Sequence, residues 1–156
     1  MISLVMDTSN SYLAVGLYQD NVCLEAFQEK GSRRQSEKAI PTLKEVLDRH
    51  HIALKDVNEM IITSGPCSYT GVRVAMTIAK TLAAVSDVRI KSVSSLAAYA
   101  GMNQALSVID ARGHKVFVGV YENGLPLIKE QVVALEDFAQ LRAEYGDFEL
   151  VGEINR

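Results

Sequence analysis

The residues best suited to chemistry lie in one short run, Gly65-Pro66-Cys67-Ser68-Tyr69-Thr70-Gly71-Val72-Arg73. Small residues and hydroxyls between an apolar strand and a helix present backbone N–H groups at a helix N-terminus, where the macrodipole favours an anion. Ser68, Thr70, Gly71 and Arg73 are therefore candidates for an anion or nucleotide loop. The same residues suit a plainer role, in which Gly65 and Gly71 permit the turn and Ser68 or Thr70 caps the helix. A second group, Asp7-Thr8-Ser9, closes the first apolar strand, and Asp110-Ala111-Arg112 closes another. An Asp beside hydroxyls at a strand end either positions a metal-bound phosphate or satisfies turn N–H groups. Only the first of the two copies keeps the hydroxyls.

Other chemistries lack their residues. The three histidines are His50, His51 and His114. Adjacent residues on a helix point about 100° apart, and neither an HExxH run nor an i, i+4 histidine pair occurs. No metal site is expected, and no histidine is placed by a motif to activate a serine, so no catalytic residue is assigned. Cys23 and Cys67 belong to no CxxC pattern and are read as reduced thiols. With a net charge of -3 and no basic cluster denser than Lys30, Arg33 and Arg34, the chain lacks the face that independent nucleic-acid binding requires. No stretch approaches the roughly 18 apolar residues of a membrane span, and the start lacks a signal peptide's basic region, so the expected address is the cytoplasm.

The elements that must position these residues emerge from an internal repeat. LVMDTSNSYLAVGLYQDNVCL from Leu4 aligns without gaps with SVIDARGHKVFVGVYENGLPL from Ser107. Val5 meets Val108, Asp7 meets Asp110, Gly16 meets Gly119 and Tyr18 meets Tyr121. Each copy predicts a strand ending in Asp, a second strand closing on Gly-x-Tyr, a turn of Asn/Asp/Gly character and a return strand. Chance similarity between two hairpins is the alternative, but patterning alone does not demand a shared Asp and Gly-x-Tyr.

After the first hairpins, Ser36 to His50 places Ala39, Ile40, Leu43, Val46 and Leu47 on one helical face, with Pro41 starting or kinking the helix. A strand over 58–63, a helix over about 71–85, a strand over 89–93 and a helix over 94–104 complete βββαβαβα. The second copy adds a helix over about 135–144 and a strand at 149–151. The order predicts an N-terminal lobe over 1–105 and a shortened C-terminal lobe over 106–156. It resembles the actin, sugar-kinase and chaperone-ATPase class, an α/β fold of duplicated ribonuclease H-like lobes. The helix over 71–85 is apolar over roughly 200°, about twice what packing on a sheet needs. That extra surface requires cover, either from within the chain or from another subunit.

Together, MDTSNSYLAVGLYQDN, RRQSEKAIPTLKEVL, ITSGPCSYTGVRVAMTIAKTLA and VSSLAAYA resemble the TsaB (YeaZ) family along essentially the whole chain. Family members usually have Gly where this chain has Cys67, Leu where it has Val72 and His where it has Gln35. A Cβ at Cys67 restricts the backbone that a Gly would allow. In the related TsaD family a His-x-x-x-His metal motif falls at the positions of Ser95 and Tyr99, so those ligands are missing here.

The resemblance implies a non-catalytic scaffold or activator that dimerises with a TsaD-like catalytic subunit through its first two helices. With a TsaE-like ATPase, the complex would place threonylcarbamoyl on the tRNA adenosine beside the anticodon. It implies an interface on Ile40, Leu43, Leu47, Val72, Met76, Lys80 and Ala83, no cofactor in this subunit, ATP or ADP only at a complex interface, and a homodimer when isolated. The competing expectations are a small ATP-dependent kinase of the same fold class, an inactive peptidase-like domain, or a degenerate domain without partners.

Overall fold

Alternation of apolar and polar positions builds the first sheet from β1 (Ile2–Asp7), β2 (Tyr12–Gln19) and β3 (Val22–Lys30). Leu4 pairs with Leu17 and Met6 with Val15, so all four point to one face and are buried there. The β2–β3 turn places Asp20 and Asn21 at φ 49° and 68°, the left-handed geometry a tight hairpin needs. In this computed structural model the described residues are 1–8, 12–30, 35–66 and 69–153, of which residues 12, 35–37, 69–72 and 153 are described as backbone only.

The chain continues through α1 (Gln35–Arg49), a 3-10 turn (Leu54–Asp56), β4 (Glu59–Thr63), α2 (Tyr69–Val85) and β5 (Arg89–Val93). The sheet order is β3-β2-β1-β4-β5, with β4 and β5 parallel to β1. Ala39 and Val46 of α1 and Ala75 and Ala79 of α2 are fully buried against Leu4, Met6 and Leu17. Helix α1 starts at Gln35 and runs through Pro41, so the proline falls inside the helix instead of opening it.

The end of α1 is a Schellman motif. Ile52 N–H donates to the Leu47 carbonyl at 3.0 Å and His51 N–H to Asp48 at 3.1 Å, while His51 takes φ 55°. A left-handed residue with a Cβ is strained where glycine is usual. His51→Gly is therefore expected to raise stability by about 0.5–1 kcal/mol, read as a higher urea midpoint at unchanged m-value.

The second sheet comes from β6 (Ala105–Arg112), β7 (Lys115–Glu122), β8 (Leu125–Pro126), β9 (Gln131–Ala134) and β10 (Glu149–Glu153), in the order β10-β6-β7-β8, with β9 also on β7. Helix α3 (Ser95–Ala100) covers one face through Leu96 and Ala100, packed with Ala105, Ile109 and Tyr121. Helix α4 (Leu135–Glu144) covers the other through Phe138 and Leu141, packed with Val108, Val116 and Val118.

Two expectations change here. Helix α3 stops at Gly101, which has φ 56° and caps it, instead of reaching residue 104. The described residues group into two compact units, one built on β1–β5, α1 and α2 and the other on α3, α4 and β6–β10, with α3 packed on the second sheet. The return strand of the second copy is also split into β8 and β9.

The repeat aligns on β2 and β7 but slips by one residue on the first strand. Val5 pairs with Gly16, whereas Val108 pairs with Val118 and Ser107 takes Gly119. An irregularity between Asp110 and Arg112 absorbs the difference. The shared Gly-x-Tyr has a steric cause in both copies. A Cβ added at Gly16 would meet the Tyr18 ring at 2.8 Å, and one at Gly119 would meet the Tyr121 ring at 2.6 Å.

Candidate functional site

In the first unit, the apolar flank of α1, the Schellman turn and α2 leave a groove of 260 Å³ between them. Ile40, Leu43 and Leu47 form one wall, Ile52, Ala53 and Leu54 the second and Leu82 the third, with Leu4 among the lining residues. Ile52 and Leu47 are brought together by the C-terminal bond of α1 itself. Lys44 and Asp48, both exposed, stand at the rim.

The residues expected to form a docking face divide by exposure. Ile40 is 59% exposed, and Lys80 and Ala83 are exposed. Leu43 and Leu47 are only 5% and 7% exposed and belong to the core, because they share the face that Ala39 and Val46 turn to the sheet. They can reach a partner only as part of the groove lining. Met76 is half-buried against the same core, and Val72 lies in α2 where the side chain is outside the described residues. Much of the unexplained apolar arc of α2 is covered internally, since Val74, Met76 and Leu82 pack on the core. Its final turn is not, and Val85 is 72% exposed.

At the strand ends, Asp7 accepts a hydrogen bond from the Thr63 hydroxyl at 2.7 Å, joining β1 to β4, and Thr8 is buried beside it. Asp110 plays the turn role, accepting the Arg112 N–H at 2.8 Å. Ser9 and Ser68 lie outside the described residues. Thr70 and Gly71 open α2 as backbone only, and Arg73 is exposed on its second turn. Among the described residues, no group of three or more His, Cys, Asp and Glu converges as metal ligands would. No helix among them is long and apolar enough to cross a membrane.

A feature missed in the sequence lies at the start of β4. Glu59 is 5% exposed, accepts the Ser3 hydroxyl at 2.8 Å and pairs with Lys91 at 3.0 Å. Lys91 above all, then the Ser3 hydroxyl, holds this carboxyl below its ordinary range. No local signal marks it, since Ser3 and Glu59 are far apart in the chain.

Three strands in antiparallel succession, then parallel strands joined through helices in the order 3-2-1-4-5, with a second sheet that begins on the same hairpin, define the class: an actin-like, ribonuclease H-like α/β fold. Within that class the chain belongs to the TsaB (YeaZ) family. Residues 28–149 match the family described as TsaD: tRNA N6-adenosine threonylcarbamoyltransferase. The chain is 32% identical to the tRNA threonylcarbamoyladenosine biosynthesis protein TsaB of Bacillus subtilis (strain 168), covering 92% of this chain and 67% of that protein. With the protein of the same name from Escherichia coli (strain K12), identity is 30%, covering 78% and 57%. The structure of YeaZ from Pseudomonas aeruginosa superposes with a TM-score of 0.76 at 26% identity, covering 85% of this chain and 67% of that one. The chain therefore spans between 57% and 67% of the length of these relatives.

Proposed function

We propose that this chain is a non-catalytic scaffold subunit in tRNA threonylcarbamoyladenosine biosynthesis, docking a TsaD-like catalytic subunit on the α1–α2 face. The observation that carries this reading is the apolar groove lipped by exposed Ile40, in a chain whose curated relatives bear the TsaB name. An exposed apolar residue beside a concave apolar groove is the usual setting for a partner's side chain. A TsaE-like ATPase and tRNA would join through the complex, and ATP or ADP would bind at a complex interface and not in this subunit. Alone, the same face would pair with a second copy. Asp7, Thr8, Arg73 and the 65–73 loop are kept as the place where an anion would bind if the assembled complex presents one.

The test is co-elution with a TsaD-like protein on a sizing column. Ala83→Glu puts a charge on an exposed site of α2 and is expected to weaken association more than about tenfold, with the thermal midpoint of the chain alone unchanged. Undiminished co-elution would remove the interface assignment. ATP hydrolysis or tRNA modification by the isolated chain would remove the scaffold reading.

A further inference from the structure

Besides its buried face, α1 is joined to the edge of the first sheet by side-chain contacts toward each end. Strand β3 is the edge of the first sheet, and two of its carboxylates face α1. Glu25 takes three donors from the helix end. Arg49 Nε lies 3.0 Å from Oε1, Arg49 Nη2 bonds Oε2, and His50 Nε2 lies 3.0 Å from Oε1. Toward the other end, Lys38 Nζ reaches Glu29 at 3.3 Å. From Lys38 to Arg49 the helix rises roughly 16 Å, so the two contacts hold it across most of its length.

Ion pairs this exposed contribute little to global stability, because solvent screens them and long side chains must be ordered. Their geometry has a different consequence. A bidentate guanidinium with a third donor on the same carboxylate fixes direction as well as distance. It does so inside the Schellman motif, whose Ile52 lines the groove and which leads directly to Leu54. Arg49, principally, and His50 hold the Glu25 carboxyl down at about 2, so the acceptor stays ionised across the working range of pH.

We infer that Glu25, with Arg49 and His50, is a positioning clamp that sets the seat of α1 on β3 and so the shape of the α1–α2 groove. Its consequence for binding rests on the docking role proposed above, whereas its effect on the groove does not. Glu25 is not part of the groove lining, so its removal acts through α1.

The experiment compares wild type, Glu25→Gln and the charge-swapped pair Glu25→Arg with Arg49→Glu at pH 8. Methyl NMR of the isolated chain reports on Leu43, Leu47 and Leu82. Glu25→Gln is expected to shift and broaden these groove methyls while the thermal midpoint moves by less than about 2 °C. The swapped pair is expected to return them toward wild type. Association with a TsaD-like protein should fall about fivefold in Glu25→Gln and recover in the swap. Unchanged groove methyls, or a folded swap that restores nothing, would overturn the clamp. If the methyls respond but wild type fails to bind, the docking role falls and the clamp stands.

Discussion

Gly119→Ala is expected to destabilise the chain by about 2–3 kcal/mol, while the matching Gly16→Ala costs less than about 1. The added methyl at 119 would lie 2.6 Å from the Tyr121 ring and 2.7 Å from its hydroxyl. Tyr121 is 3% exposed, packs with Leu96 and Ala100, and donates its hydroxyl to Glu130. That carboxylate also accepts the Ser94 hydroxyl at 2.5 Å, and Ser94 caps α3 through Leu96 N–H and Ala97 N–H. Burial and Glu130 push the Tyr121 phenol above its ordinary range, consistent with a hydroxyl that stays protonated and donating. The ring has nowhere to turn without breaking this set. Tyr18 covers Gly16 from a half-buried position and can swing aside. Urea unfolding of both variants checks the prediction, and equal losses would show that strand propensity outweighs the ring contact.

Glu59→Ala is expected to cost about 2 kcal/mol at neutral pH, because it leaves the buried Ser3 hydroxyl without its acceptor and releases Lys91. The same group makes stability depend on acid. A carboxyl whose folded pKa lies below its unfolded value contributes stability that is complete above the unfolded pKa and is lost as pH falls through the folded one. Glu59 and Glu25 are both lowered from 4.5, Glu25 to about 2. Wild-type stability should therefore decline from about pH 4.5 downward, and the decline should be shallower in Glu59→Ala. Parallel curves for the two proteins would dissociate Glu59 from the acid transition.

The strands and helices were legible because apolar periodicity and turn chemistry specify them locally. Asp20-Asn21 and the Val22 to Lys30 run needed no tertiary information to read as a hairpin. The slip between copies was not legible, since Ser107 aligns with Leu4 in sequence while its hydroxyl, buried and without a partner among the described residues, faces α3. The face proposed for docking was half legible. Periodicity groups Ile40, Leu43 and Leu47, but it cannot say that the sheet covers two of them and leaves the first exposed. The Glu59 and Glu25 contacts depend on pairing between distant segments, which no single stretch of sequence records.

The one-residue slip means that the two halves have ceased to be interchangeable. Grafting Leu4-Val5-Met6-Asp7 onto positions 107–110 would preserve every aligned letter of the ancestral repeat. It would nevertheless put a leucine in place of the buried Ser107 on the α3-facing side, while the α4-facing positions 108 and 110 would keep the valine and aspartate they already have. Duplication supplied the plan of the second lobe, but later drift by a single bulged residue has given each lobe a private grammar for inside and outside.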